Sequence, residues 1–276
     1  MNFSRPSSVI PKKHLGQHFL TDPNIKSRII EACNLKPDDV ILEIGSGLGI
    51  LTREIVSRVA HVYAVEKDPQ LCQELQNSQT PNLTIIHNDI LKYDLTALPA
   101  NTKVIGNLPY YISSPIIEKF LTHHPRFTDL FFTVQLEFGQ RLNAKLNTKD
   151  YSALTGFAQY YADTKMLFKI GKSAFSPAPK VFSCFMHLKP REPITKAQDS
   201  DLLFKIIHLA FQQRRKKILN ALTSLWDKET VKTVLKQTEI NQELRPENIA
   251  LNNYVNLANV AYGLNQEEKE KGRSEG

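Results

Sequence analysis

A chain of 276 residues, 41% hydrophobic and 23% charged, can bury a full α/β core with a smaller second unit beside it, and this composition excludes a disordered or fibrous protein. The formal net charge of +7 points to an anionic partner, nucleic acid first among them. The 3 cysteines, Cys33, Cys72 and Cys184, are odd in number and lack C-x-x-C spacing, which argues against a disulfide framework or a zinc site. No apolar window approaches the length of a membrane span, so a protein of the reducing cytoplasm is expected, with no membrane contact.

The opening segment is basic, with Arg5, Lys12 and Lys13 placed before the first acid, Asp22. From Asp38 to Lys189, short β-rich apolar runs then alternate with helical patterns, the arrangement of an α/β sheet with helices on both faces. Strands are predicted at Val40–Ile44, His61–Glu66, Leu83–Asn88, Lys103–Gly106, Leu130–Gln135, Lys165–Ile170 and Val181–Leu188. The last two are separated by a segment rich in proline and glycine rather than by a long helix, which predicts an antiparallel hairpin at one sheet edge. Pro190-Arg191-Glu192-Pro193 breaks the pattern because proline withholds a backbone donor and disfavours helix at the residue before it. The expected domains are therefore 1–190, the catalytic α/β unit, and 191–265, a small all-helical unit with helices over Leu202–Phe211, Lys217–Leu225, Val231–Gln237 and Tyr254–Tyr262. Residues 266–276, charged and almost without apolar side chains, are expected to be a disordered tail.

Glu43-Ile44-Gly45-Ser46-Gly47-Leu48-Gly49 follows the first predicted strand and precedes a helical stretch, where glycines let backbone approach a nucleotide-like ligand. Ile50 stands where the dinucleotide spacing G-x-G-x-x-G needs a small residue, which disfavours a nicotinamide cofactor. Glu66, at the end of the second strand, is placed to accept hydrogen bonds from both hydroxyls of a ribose, as dinucleotide enzymes also arrange. Asp89, after the third strand, is placed to accept from the exocyclic amine of a cofactor adenine. Either acid alone is equally at home on a solvated surface; three successive strand ends lining one crevice argue for a site.

Asn107-Leu108-Pro109-Tyr110 follows the fourth predicted strand. The N6 lone pair of adenine is delocalised into its ring, so a methylase must hold that amine in position. The Asn107 side-chain oxygen and the Leu108 carbonyl suit the two N6 hydrogens, drawing the nitrogen towards tetrahedral geometry. Pro109 stiffens the turn and Tyr110 offers a stacking face. A base inside a helix cannot reach such a pocket, so the substrate is flipped out or single-stranded, with stacking worth roughly 1–3 kcal/mol per base. In-line attack on a sulfonium methyl carbon needs positioning and no metal.

These segments resemble the ribosomal RNA adenine dimethylase family. The resemblance rests on Lys13-His14-Leu15-Gly16-Gln17-His18-Phe19-Leu20, Glu43 to Gly49, Asn107 to Ser113, and Ala174 to Val181; the runs Phe211 to Lys216 and Arg245 to Ile249 favour its bacterial small-subunit branch. It implies a Rossmann-like sheet that binds S-adenosylmethionine, with His18, Leu20, Gly45, Glu66, Asp89 and Asn107 contacting this methyl donor. It implies a target base held between Tyr110 and Phe175, and N6,N6-dimethylation of two adjacent adenines in a hairpin loop near the 3′ end of small-subunit rRNA, in a partly assembled 30S particle. The chain departs from the family pattern at Ser46, where proline is common, at Tyr111, where asparagine is frequent, and at Leu136, where lysine is frequent. Lys12, Lys13, Arg214, Arg215, Lys216 and Lys217 are candidate phosphate contacts, with a solvated helix face as the plain alternative for the last four. Two rival readings share much of this pattern: a large-subunit adenine methylase of the macrolide-resistance type, and an RNA-binding assembly factor without turnover. A monomer is expected.

Overall fold

The structure is a computed structural model and describes residues 11–12, 15–77 and 80–274. In chain order its elements are β1 (Phe19–Leu20), α1 (Pro23–Ala32), β2 (Val40–Ile44), α2 (Thr52–Val56), β3 (His61–Glu66), α3 (Pro69–Gln76), β4 (Leu83–His87), β5 (Thr102–Asn107), α4 (Ser113–Thr122), β6 (Phe127–Gln135), α5 (Leu136–Leu142), α6 (Ala153–Tyr161), β7 (Ala162–Ile170), β8 (Phe175–Ser176), β9 (Ser183–Pro190), α7 (Ser200–Gln212), α8 (Ile218–Ala221), α9 (Lys228–Gln237) and α10 (Leu251–Ser274).

Contacts divide the chain into two units. The first comprises 1–140 and 161–192, the second 141–160 and 193–276. The division at Glu192 lies two residues beyond the expected boundary. The assignment of 141–160 to the second unit departs from the prediction, and packing gives the reason. Phe157 and Tyr160 of α6 set their rings against Phe204 of α7, at centroid distances of 4.9 and 5.4 Å, and Gly156 leaves room for Ile207. Tyr254 of α10 is buried in this unit, its hydroxyl donating to the Pro246 carbonyl at 3.0 Å. α10 also continues to Ser274, through the charged segment expected to be disordered. Its run of Gln, Glu and Lys withholds a core face but has high intrinsic helix propensity.

The first unit is built on a seven-stranded sheet of order β4-β3-β2-β5-β6-β9-β7. The first five strands are mutually parallel, and β9 runs antiparallel to both β6 and β7. The hairpin expected at the edge is therefore present as the β9–β7 pair, with β7 outermost. β2 and β5 are buried almost throughout, as strands covered on both faces must be; β2 is apolar but for Glu43, whereas β5 has its apolar pair Val104-Ile105 at the centre. β2 leads outwards to β3 and β4, and β5 then returns to the other side of β2. The strand order reverses at that point, which opens a crevice beyond the carboxyl ends of β2 and β5.

Local chemistry fixes the neighbouring helices. Asp22 caps α1 by accepting from the Asn24 and Ile25 amides at 2.8 and 3.1 Å, and Asp68 caps α3 through the Gln70 amide at 3.1 Å; each helix starts with proline, whose missing N–H is not needed there. The two-residue strands β1 and β8 pair antiparallel, Phe19 with Ser176 and Leu20 with Phe175. They are too short to show periodicity in the sequence.

Candidate active site

Gly45 begins the turn after β2 with φ +69°, and its amide donates to the Val65 carbonyl of β3 at 2.9 Å. A Cβ at Gly45 would sit 3.7 Å from the Asn107 carbonyl oxygen, so the missing side chain keeps the space between the β2 and β5 ends open. Gly49 is stricter: its φ is +72°, and a Cβ there would come within 2.5 Å of the Leu75 side chain. The turn thus presents bare backbone to an open cleft of about 780 Å³ lined by His18, Gly45, Gly47, Glu66, Asn107, Leu108, Pro109 and Tyr110 among others.

Glu66, 6% exposed, ends β3 at this cavity. Its Oε2 accepts from the Gly47 amide at 3.0 Å and its Oε1 from the Lys67 and Asp68 amides at 2.8 and 2.9 Å. Burial nevertheless pushes its carboxyl above the usual range, against these three donors. Asp89 lies one strand further along, between the cavity-lining Asn88 and Ile90. Its carboxylate accepts from Lys67 Nζ at 2.9 Å and from the Leu91 amide at 3.0 Å; burial opposes ionisation, but these bonds hold its pKa below the ordinary value. The segment following Asp89 is fastened from below by Lys119 of α4, whose ammonium donates to the carbonyls of Ile90, Leu91 and Tyr93.

The decisive local geometry is at the end of β5. Asn107 Nδ2 donates to the His18 carbonyl at 2.9 Å. Since a carbonyl accepts only, the amide nitrogen must face His18, and Oδ1 is left as the acceptor on the opposite side. The Leu108 amide donates to the Thr133 carbonyl of β6 at 3.1 Å, and the Pro109 carbonyl accepts from the Ile112 amide at 3.1 Å and Ser113 Oγ at 3.2 Å, which makes the segment stiff. The Tyr110 hydroxyl is 2.6 Å from Ser183 Oγ, and its ring stacks on that of His18 with centroids 5.7 Å apart. His18 Nδ1 is in turn 2.7 Å from the Pro177 carbonyl.

The other expected site residues fall differently. Leu20 is buried and borders a second hollow on the far side of the glycine turn, together with Glu43, Ser46 and Asn107. Phe175 is 4% exposed and packs in the core with Leu20, Ile29 and Phe185, outside the cavity lining. Pairing with Leu20 turns this member of β8 inwards and leaves Ser176 exposed. His18, not Phe175, faces the Tyr110 ring here. The Lys12 ammonium pairs at 2.7 Å with Asp68, which also accepts from Gln17. Lys13 and His14 lie outside the described residues, as does Arg5. In the second unit Arg214 donates to the Thr148 and Lys149 carbonyls and lies 3.5 Å from Glu247, while Lys217 pairs with Glu243. Arg215 and Lys216 are exposed, with no ion pair among the described residues.

Sequence reasoning gave no role to Lys67, Ser183 or Glu43. Nothing in the sequence marks Ser183, whose partner is 73 positions away; Lys67 had only its adjacency to Glu66 as a sign. Glu43 is 2% exposed at the start of the turn, and burial pushes its carboxyl up to about 7. A carboxyl with ordinary value 4.5 in the unfolded chain and about 7 in the fold binds more protons when folded between those values, so its ionisation costs stability as pH rises through that window. Glu43→Gln removes the titration. The variant is expected to gain up to about 3 kcal/mol over the parent protein above pH 7, shrinking to nothing near pH 4.5. Thermal midpoints of the donor-free protein at several pH values check this, and a constant difference across the range would contradict it.

Residues 11–262 match the family described as ribosomal RNA adenine dimethylase. The chain belongs to this family. Similar adenine dimethylase relatives include proteins named ribosomal RNA small subunit methyltransferase A from Clostridium botulinum (strain ATCC 19397 / Type A), 36% identical, and from Clostridium acetobutylicum, 37% identical. Each alignment covers 91% of this chain, with 94% and 93% of the respective relative. Among solved structures, a dimethyladenosine transferase from Plasmodium falciparum is similar with TM-score 0.77 and 26% identity, over 87% of this chain and 96% of that one. The 23S rRNA methyltransferase ErmE is similar with TM-score 0.68 and 27% identity, over 88% and 99%.

The methyl donor of adenine dimethylases is S-adenosylmethionine, and the residues present fit it. The glycine cradle admits backbone approach, Glu66 and Asp89 offer carboxylate oxygens at successive strand ends, and the buried Ser46 Oγ lacks a hydrogen-bond partner among the described residues. No group of three or more His, Cys, Asp and Glu side chains among the described residues is placed to hold a metal ion. Burial pushes all three thiols above their usual range, so none is a ready nucleophile. No helix among the described residues is long and apolar enough to cross a membrane.

Proposed function

We propose that this adenine dimethylase converts two adjacent adenines, in a hairpin loop near the 3′ end of small-subunit rRNA, to N6,N6-dimethyladenines. It acts as a monomer in the cytoplasm on a partly assembled small subunit. The observation that carries the chemistry is the Asn107 amide held by the His18 carbonyl, which aims Oδ1 away as an acceptor. When bound, S-adenosylmethionine supplies an electrophilic methyl group on its sulfonium sulfur. Glu66 and Asp89 would hold the donor's ribose and adenine, and Asn107 Oδ1 with the Leu108 carbonyl would accept hydrogen bonds from the two N6 hydrogens of the target; each transfer forms an N–C bond, breaks the S–C bond and releases one N6 proton to solvent. Tyr110, fixed by Ser183, flanks the target base, so the His18 ring must give way or share that face. Such positioning is sufficient for a transfer that has no covalent enzyme intermediate.

The names of the Clostridium relatives support the small-subunit substrate, and the similarity to ErmE keeps a large-subunit substrate as the second reading. Incubation of under-methylated small and large subunits with labelled donor, followed by mass mapping of nucleotides, separates the two. Two dimethyladenines in small-subunit rRNA are expected. Label confined to large-subunit rRNA would support the second reading, and no label in either would support an assembly factor without turnover. Arg215 and Lys216, the exposed pair of the basic run, are proposed to meet phosphate. Neutralising both is expected to lower the salt slope of RNA binding by about 2. A solvated face predicts the parent slope.

A further inference from the structure

Of the five large hydrophobic side chains exposed among the described residues, Leu146 and Ile194 belong to the second unit, and the other three lie at one end of the sheet. Tyr111, Val181 and Phe182 are 57, 43 and 54% exposed; Tyr111 follows the end of β5, and Val181 and Phe182 precede the start of β9, at the same end of the sheet as Asn107. Phe182 immediately precedes Ser183, which pairs in register with Gln135 at the carboxyl end of β6 and with Ile170 at the end of β7. The Phe182 carbonyl accepts from the Leu136 amide at 2.9 Å, and Ser183 Oγ holds the Tyr110 hydroxyl. The backbone carrying the exposed ring is thus tied on one side to the strand next to β5 and on the other to the aromatic that flanks the target.

A groove of about 590 Å³ runs beside Phe182, with Lys172 and Lys180 on its rim and Leu136, Glu137 and Gln140 along its wall. Lys172 Nζ lies 5.2 Å from the Phe182 ring centroid. An apolar ring exposed to water is unfavourable unless something covers it, and two ammonium groups beside it favour a polyanion that also carries flat apolar faces. Single-stranded nucleic acid has both features, since every base has a stackable face and every linkage a negative charge. Glu137 and Gln140 leave hydrogen-bonding groups available for a base edge.

We infer that Phe182 is a stacking platform for a nucleotide flanking the target adenine, with Lys172 and Lys180 meeting its phosphates. The inference rests on the RNA-methylating reading above. It extends the substrate site beyond the target pocket, to the groove bordered by the end of β6, by α5 and by the segments that follow β7 and precede β9.

The test uses full-length protein and under-methylated small subunits. Phe182→Ala is expected to raise KM for the particle roughly tenfold, with a smaller change in kcat and unchanged donor affinity. Phe182→Trp is expected to restore KM, and its added indole fluorescence is expected to fall on particle binding beyond the change seen with Trp226 alone. Benzoylphenylalanine placed at position 182 is expected to cross-link on irradiation to rRNA in the loop that carries the methylated adenines. An unchanged KM in Phe182→Ala, a loss that Phe182→Trp does not restore, or a cross-link only to a ribosomal protein would each overturn the inference. Failure of the unaltered protein to methylate either subunit would instead overturn the proposed function, a result read independently of the cross-link.

Discussion

Asn107→Ala is expected to lower kcat for adenine methylation by about 10²–10³-fold, the cost commonly seen when one positioning group of a reacting centre is removed. The side chain has two jobs at opposite ends of one amide. Its nitrogen holds the His18 carbonyl, and its oxygen is the proposed acceptor for N6. Asn107→Asp separates them. A carboxylate retains an oxygen for the amine but brings a second, negatively charged oxygen to the His18 carbonyl, where no donor remains, so it too is expected to lose most activity. Particle binding, supported elsewhere on the surface, is expected to survive both changes. Single-turnover methylation with saturating donor and small subunits measures the effect, and near-parental turnover in Asn107→Asp would remove the oriented amide from the mechanism. Circular dichroism and donor titration distinguish lost chemistry from lost fold.

What the sequence displayed clearly was whatever depends on a residue's own neighbours. Short β-rich runs marked all seven strands of the main sheet, most plainly β2, which is apolar but for Glu43 and buried almost throughout. The Gly45 turn and the Asn107 segment were legible because both are short, contiguous and chemically unusual. Residues whose meaning depends on a distant partner were not. Nothing local to Lys12 announces its ion pair with Asp68, 56 positions on. The same holds for Arg214 and its partners Thr148, Lys149 and Glu247. Phe175 carries a family motif, yet its direction is set by pairing with Leu20, which no local pattern encodes. The helix at 153–161 has an amphipathic pattern that says it packs on something, and only Phe204 and Ile207 say on what.

Glu66→Ala is expected to weaken binding of S-adenosylmethionine, and of its demethylated product, by about 10²–10⁴-fold. A charge-assisted hydrogen bond contributes about 1.5–3 kcal/mol, and the loss of two such bonds to ribose hydroxyls accounts for that range. The change also leaves the Gly47, Lys67 and Asp68 amides without their acceptor, so the glycine turn loses the group that shapes it. Glu66→Gln distinguishes the two contributions. An amide keeps one accepting oxygen, enough for some of the three backbone donors, but replaces the other oxygen with a donor that competes with them and has lost the charge. Its affinity is expected to fall between those of the parent and the alanine variant. Because burial raises the Glu66 carboxyl above its ordinary range and the bound ribose needs it ionised, donor affinity in the parent protein is expected to fall as pH drops through that raised value and to level off above it. The pH dependence should flatten in Glu66→Gln, which has nothing to titrate at that position. Calorimetric titration with the demethylated product between pH 5 and 8 follows both effects without turnover; an affinity in Glu66→Ala equal to the parent's would mean that the ribose is held by other groups.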